Sequence, residues 1–334
     1  SGLVSDATPI GRLSHAPAAD YPDVSGDWIV YQDGRNGNSD IFAYNLASGV
    51  ETQITANTDG QYNPFISGTL IAWTDTRNDP AGENRDIYGY DLSNPGLGVF
   101  PIAIGTEIER LIGVSGNWVA FRRAYHVFDG SEDTNWDEVW DLVIYTHQGG
   151  GVFTTYFDTD YPPKSGHNPL PSFSSTAEFG GGLLVVGKHE VYWRSEYEYW
   201  DSRNQHVEIM DLANGESSLR SCGVDRWYYP YGIEPHKFVY VKDYEDPQGN
   251  SGDQVWLWDN GSIRRLTEPG VEEYDHADDV LTMGGGYVVY DKRGSEDLFY
   301  WDLSADQGSY PEALLTQETR YADDARMDNN CVVW

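Results

Sequence analysis

The sequence predicts an all-β chain, a seven-bladed β-propeller whose last blade is closed by N- and C-terminal strands. Three observations predict it. A short apolar piece, a Ser-Gly turn and a strand ending in an aromatic recur along the whole chain; an Asp-led apolar strand follows most copies; and the interval of roughly 40–65 residues suits four strands per unit.

The first element is clearest in Val24-Ser-Gly-Asp-Trp-Ile-Val-Tyr31, Ile66-Ser-Gly-Thr-Leu-Ile-Ala-Trp73 and Val114-Ser-Gly-Asn-Trp-Val-Ala-Phe121. Weaker copies of its second strand are Leu183 to Val186, Phe238 to Tyr240, Tyr287 to Tyr290 and Cys331 to Trp334, which makes seven. The next element runs over Asp40 to Leu46, Asp86 to Leu92, Asp141 to Tyr145, His206 to Leu212, Gln254 to Asp259 and Asp297 to Leu303. These stretches alternate or are wholly apolar, with the β-branched and aromatic content of strands. A turn follows, then a short outer strand, expected at Gln53 to Thr55, Arg265 to Thr267 and Leu314 to Thr316. The seventh copy stops at Trp334 after two strands, and Ile10 to Ser14 reads as an outer strand without its blade. Residues 1–19 are therefore expected to complete the last blade, which removes exposed sheet edges. No linker divides residues 1–334, so one domain is expected.

The Ser-Gly-Asp turn, the Asp33-Gly-Arg-Asn-Gly-Asn38 hairpin, the Asp-Ile-Tyr strand start and the Leu-Thr ending together resemble TolB-like propeller repeats. The resemblance covers nearly the whole chain and is weakest in blades three to five. It implies a fold, a face where loops cluster at the mouth of a central channel, and a secreted, cell-surface or periplasmic setting. Such families include scaffolds, propeller domains of peptidases and some polysaccharide lyases, and fold does not choose among them.

Acidic residues number 54 against 21 basic ones, a formal net charge of -33. That balance repels nucleic-acid phosphates and anionic membranes, which makes both poor partners. Disordered chains are poor in aromatics, whereas this one carries 12 Trp, 24 Tyr and 11 Phe. No apolar run is long enough to span a bilayer. The start, Ser1-Gly2-Leu3, reads as processed or trimmed. Cys222 and Cys331 form no metal-binding pair, and their places in the repeat set them too far apart to bond.

Eleven positions before each anchor aromatic lies the mouth of the inner strand, occupied by Asp20, Tyr62, Arg110, Tyr229, Asp279 and Asp323. Blades six, seven and one are ring neighbours, so Asp279, Asp323 and Asp20 are expected to approach one another, beside Asp278, Asp324, Asp275 and His276. Such carboxylates hold a hard cation such as Ca2+, or cap backbone amides as solvated charges, and both readings stay open. No other cofactor is required. The Asp33 to Asp40 segment lacks full EF-hand spacing and reads as a Gly-rich hairpin.

The same face carries insertions in blades three to five. Tyr62, Arg110, Trp136, Trp140, Tyr192, Trp193, Tyr197, Trp200 and Tyr244 are candidate ligand-binding residues, since Trp and Tyr faces stack on sugars and anchor protein interfaces. Packing of these rings on each other is the alternative. Arg122, Arg123, Tyr125, His126, His167 and Tyr229 form one coherent catalytic set: Arg neutralises a uronate carboxylate while His or Tyr removes the α-proton. No serine nucleophile elbow, zinc motif or phosphate loop occurs. The sequence therefore favours a noncatalytic extracytoplasmic propeller binding a glycan or protein. A polysaccharide lyase is the alternative, and a purely structural piece of a larger surface protein is a third reading.

Overall fold

The computed structural model describes residues 19–78, 85–127, 137–147, 152–159, 170–194, 199–212, 216–220, 228–234, 236–245, 251–266, 276–292, 298–304, 312–315, 325–328 and 331–333. They form six four-stranded antiparallel sheets and one two-stranded sheet, each built from consecutive strands. The first sheet is β1 (Ala19–Ser25), β2 (Trp28–Asp33), β3 (Asp40–Asn45) and β4 (Val50–Gln53); the second is β5 (Gln61–Ser67), β6 (Leu70–Asp75), β7 (Asp86–Asp91) and β8 (Phe100–Ala103). The third comprises β9 (Ile108–Ser115), β10 (Trp118–Val127), β11 (Asp137–Thr146) and β12 (Val152–Thr159); the fourth, β13 (Leu170–Gly180), β14 (Leu183–Arg194), β15 (Tyr199–Asp211) and β16 (Glu216–Arg220). In the fifth are β17 (Tyr228–Glu234), β18 (Lys237–Glu245), β19 (Ser251–Asp259) and β20 (Ser262–Arg265); in the sixth, β21 (His276–Gly284), β22 (Tyr287–Lys292), β23 (Leu298–Asp302) and β24 (Glu312–Leu314). The seventh holds β25 (Arg326–Asp328) and β26 (Cys331–Val333). The expected outer strand Ile10 to Ser14 lies outside the described residues.

The middle strands are apolar on both faces because each sheet lies between two others. Val30 and Ile41 of the first sheet pack with Ile71 and Trp73 of the second. Ile29, Tyr31 and Phe42, on the opposite face, pack with Cys331 and Val333 of the seventh. Val119 and Phe121 of β10 join Leu70 and Ile87 of the second sheet, whereas Ala120 joins Leu184 and Val186 of the fourth. Alternate residues of one strand thus serve different neighbours. The first strand of each sheet lies beside the first strand of the next, from β1 to β25, and β25 also lies beside β1.

The Ser-Gly repeat clasps neighbouring sheets. The Gly68 N–H donates to Ser25 Oγ at 2.9 Å, Gly116 to Ser67 at 2.9 Å and Gly182 to Ser115 at 2.8 Å. Asp328 takes the serine's register position in the seventh sheet, and its Oδ2 accepts from Gly26 of the first at 2.7 Å. Gly26, Gly68 and Gly116 all adopt φ near +57°, which glycine reaches without strain. The fourth sheet has Gly180 in the serine's place; a Cβ there would meet the Ile233 carbonyl oxygen at 2.9 Å, so only glycine allows so close an approach.

Outer strands differ from expectation. They end at Gln53, Arg265 and Leu314, and each apolar-Thr pair begins at the next residue. Ile54 N donates to Ile41 O, Leu266 N to Val255 O and Leu315 N to Leu298 O, each at 2.8 Å. Burying Ile54 between sheets draws the chain inward, and Thr55 Oγ1 accepts from Ile41 N while donating to Asp40. This plug and cap follow the strand instead of extending it.

Candidate functional site

The eleven-residue step marks one register position. Asp20 pairs with Gln32, Tyr62 with Thr74, Arg110 with Arg122 and Tyr229 with Val241, and each partner directly follows its anchor aromatic. In the sixth sheet Asp278 and Asp279 fall within the irregularity between His276 and Leu281. Asp323 and Asp324 lie outside the described residues. Asp20 is exposed and accepts from the Tyr21 N–H at 3.1 Å. Among the described residues no group of three or more His, Cys, Asp or Glu side chains is arranged to hold a metal ion.

The same mouth carries strained backbone. Tyr21 and Asn63 adopt φ of 50° and 49° at bulges in β1 and β5, and each precedes a proline. Positive φ is unfavourable for a residue as bulky as tyrosine. These bulges leave Tyr21 and Tyr62 exposed at 38%. Asp23, just past the first bulge, accepts from Ile66 N of the second sheet at 2.7 Å. Burial raises its pKa to about 6, against the lowering effect of that bond and of Arg326.

The expected insertions of the third to fifth sheets are hairpins. β10, β14 and β18 have 10, 12 and 9 residues, whereas β2, β6 and β22 have 6. At about 3.3 Å per residue they extend roughly 10–20 Å farther. Arg122, Arg123, Tyr125, His126 and Trp140 lie on the third hairpin, with Trp140 opposite Ala124. Tyr192, Trp193 and Trp200 lie on the fourth, where Trp193 and Trp200 are direct cross-strand partners. Tyr244 lies on the fifth, opposite Gly252. Trp136, Tyr197 and His167 lie outside the described residues.

The catalytic set is spread over two sheets. On β10 Arg123 continues the row of Val119 and Phe121 toward the second sheet, and Arg122 continues that of Ala120 toward the fourth. Arg110 shares the row of Arg122 by direct pairing. Tyr125 and His126 follow on the same strand, and Tyr229 pairs with Val241 in the fifth sheet.

At the base of the third hairpin Arg123 Nε donates to Glu109 Oε1 at 2.9 Å. Glu109 is fully buried, and its Oε2 has no hydrogen-bond partner. Burial raises its pKa to about 7; Arg123 opposes the rise, and Asp86 and Glu107 add to it. The first two sheets solve the same position differently. Asp33 and Asp75 are buried on the second strand, paired with Arg35 at 2.7 Å and Arg77 at 2.6 Å, whose guanidinium groups lie over Phe42 and Tyr88. These satisfied pairs make the Asp33 hairpin a structural turn.

No protein-family model matches the sequence, and no curated protein matches it. Solved structures do match. The β-propeller domain of the trilobed protease from Pyrococcus furiosus aligns at 15% identity over 91% of this chain and 85% of that one, with a TM-score of 0.59. An acylaminoacyl peptidase from Pyrococcus horikoshii aligns at 13% identity over 93% of this chain, with a TM-score of 0.60. The fold is a β-propeller. An oligogalacturonate lyase solved with manganese aligns at 11% identity over 86% of this propeller and 74% of that chain, with a TM-score of 0.52. TolB from Acinetobacter baumannii matches at 15% identity over 74% of this chain and 53% of that one, with a TM-score of 0.40; the fold rests on the other three. The propeller spans only 48% of the Pyrococcus horikoshii peptidase, about half its length.

Sequence reasoning did not single out Glu109 or Asp23. Glu109 had a signal: it faces Arg123 in the register where blades one and two place Ala19 opposite Asp33 and Gln61 opposite Asp75. Asp23 had none, because its bond partner lies 43 residues away in the next blade. Cys331 is a free thiol in β26, and Cys222 lies outside the described residues.

Proposed function

We propose that the chain is a noncatalytic ligand-binding propeller of seven blades, presenting the hairpins of blades three to five to a glycan or protein outside the cytoplasm. The observation that carries this reading is three consecutive elongated hairpins, with Trp193 opposite Trp200 on the central one. Indole faces suit sugar rings and protein hot spots. Seven blades are supported by the circuit of first strands and by the Asp328–Gly26 bond that repeats the Ser-Gly clasp. An acidic surface favours neither nucleic acid nor membrane insertion, and among the described residues no helix is long and apolar enough to cross a membrane.

The second reading is uronate elimination, favoured by Arg122, Arg123, Tyr125 and His126 falling together on one strand of the third hairpin. Against it stands the ion pair that ties Arg123 to Glu109 at the hairpin base, because elimination needs the neutraliser and the base around one carbon. A screen of neutral and uronate glycans, with polypeptides, scored for retention and for unsaturated products, separates the readings. Retention without product is expected. Product formation overturns the noncatalytic reading.

A further inference from the structure

Blade three rearranges the charges that blades one and two place at the hairpin base. In those blades the acid is on the second strand and its arginine follows two residues later. In blade three Arg123 takes the acid's position, and Glu109 moves to the inner strand. Glu109 N donates to Arg85 O at 2.9 Å, which sets it next to the start of β7 in blade two. Asp86 of β7 is itself buried, and its carboxylate accepts from Gly105 N at 3.2 Å and from Asn78 Nδ2 at 2.5 Å. The charged groups facing Glu109 are therefore Arg123 from β10, Asp86 from β7 and Glu107 from the segment before β9. Arg123 reaches one carboxylate oxygen of Glu109, and the other, buried, has no partner. A neutral carboxyl tolerates that setting far better than an anion does.

We propose that Glu109 is a proton-operated switch: taking a proton from solvent removes one negative charge beside Arg123 at the base of the blade-three hairpin, strengthening the binding of carboxylate-bearing ligands there. The proposal rests on the ligand face above for its second half only. Burial places the Glu109 pKa at about 7, so the switch works across neutral pH. Blade two supplies the protonated mimic, because Gln61 holds the equivalent register position and donates its N–H to Ser39 O just as Glu109 does to Arg85. Glu109→Gln therefore repeats an arrangement this fold already contains.

The test has two arms. Carbon-13 NMR of the side-chain carboxyls, with Glu109 identified by its loss in Glu109→Gln, is expected to give a midpoint within about one unit of 7; a midpoint below about 5 overturns the switch. Trigalacturonate binding is then measured by calorimetry at pH 8 and pH 6. One added charge near the ligand is expected to tighten wild-type binding by roughly three- to tenfold, leaving Glu109→Gln nearly unchanged. Equal pH dependence in the two proteins overturns the link to binding. No binding of trigalacturonate to either protein overturns the carboxylate ligand, and the NMR midpoint alone then decides for or against the proton site.

Discussion

Replacing Ser115 with Ala removes the acceptor that clasps blade three to blade four. The partner, Gly182 N–H, is buried at 2.8 Å from Ser115 Oγ, so no water replaces the lost bond. Leaving such a donor unpaired costs about 1–3 kcal/mol. Ser25→Ala and Ser67→Ala remove the same bond where Gly68 and Gly116 are exposed and solvent takes the serine's place. Those variants are expected to lose under about 1 kcal/mol. For a chain of 334 residues the entropy of unfolding is on the order of 0.7 kcal/mol per kelvin. Ser115→Ala should then lower Tm by about 1–4 °C, and the other two by about 1 °C or less. Urea unfolding followed by tryptophan fluorescence gives the comparison, provided the m values agree. Equal losses in all three, or the largest loss in Ser25→Ala, would refute the clasp argument, because burial of the donor is what separates them.

Other expectations follow from the joints between blades. Asp23 is raised from 3.8 to about 6, so its contribution is fully present below pH 3.8 and is lost as pH rises to about 6. Asp23→Asn should flatten that part of the stability profile; an unchanged slope in urea titrations between pH 4 and pH 6 would contradict the burial argument. Gly180→Ala drives a Cβ to 2.9 Å from the Ile233 carbonyl oxygen and should cost about 1–3 kcal/mol, more than Gly113→Ala, whose Cβ meets the Phe179 oxygen at 3.1 Å. Asp328→Ala should destabilise more than Asp328→Ser, which restores the acceptor used in blades one to three. The opposite order in calorimetry would contradict a latch between the seventh and first sheets.

The repeat was legible in the sequence because the anchors Tyr31, Trp73 and Phe121 follow the serines of the Ser-Gly turns, Ser25, Ser67 and Ser115, at one constant spacing. Tyr31, Trp73, Phe121, Tyr240 and Tyr290 all fall on the second strands expected for them. The purpose of the Ser-Gly turn was not legible, since each serine bonds a glycine in the next repeat, 43 to 67 residues away. The apolar-Thr ending was read as strand because an Ile-Thr pair has strand propensity; burial of Ile54 between blades overrode it. The insertions were read as loops, which hid the alternation that parts Arg122 from Arg123. Read as strand, the same residues announce that separation. Tyr62 and Arg110 were found because the eleven-residue count mirrors a real register.

The ligand face is tested most directly by comparing retention of the screened glycans and polypeptides by wild-type protein and by Trp193→Ser/Trp200→Ser. Both residues sit near the end of the longest hairpin, away from the buried core of blade four. The expected result is a ligand retained by the wild type without chemical change, weakened at least about tenfold in the variant, with thermal unfolding unaltered. Retention undiminished in the variant, or conversion of a uronate glycan to an unsaturated product, would contradict a noncatalytic site on these hairpins.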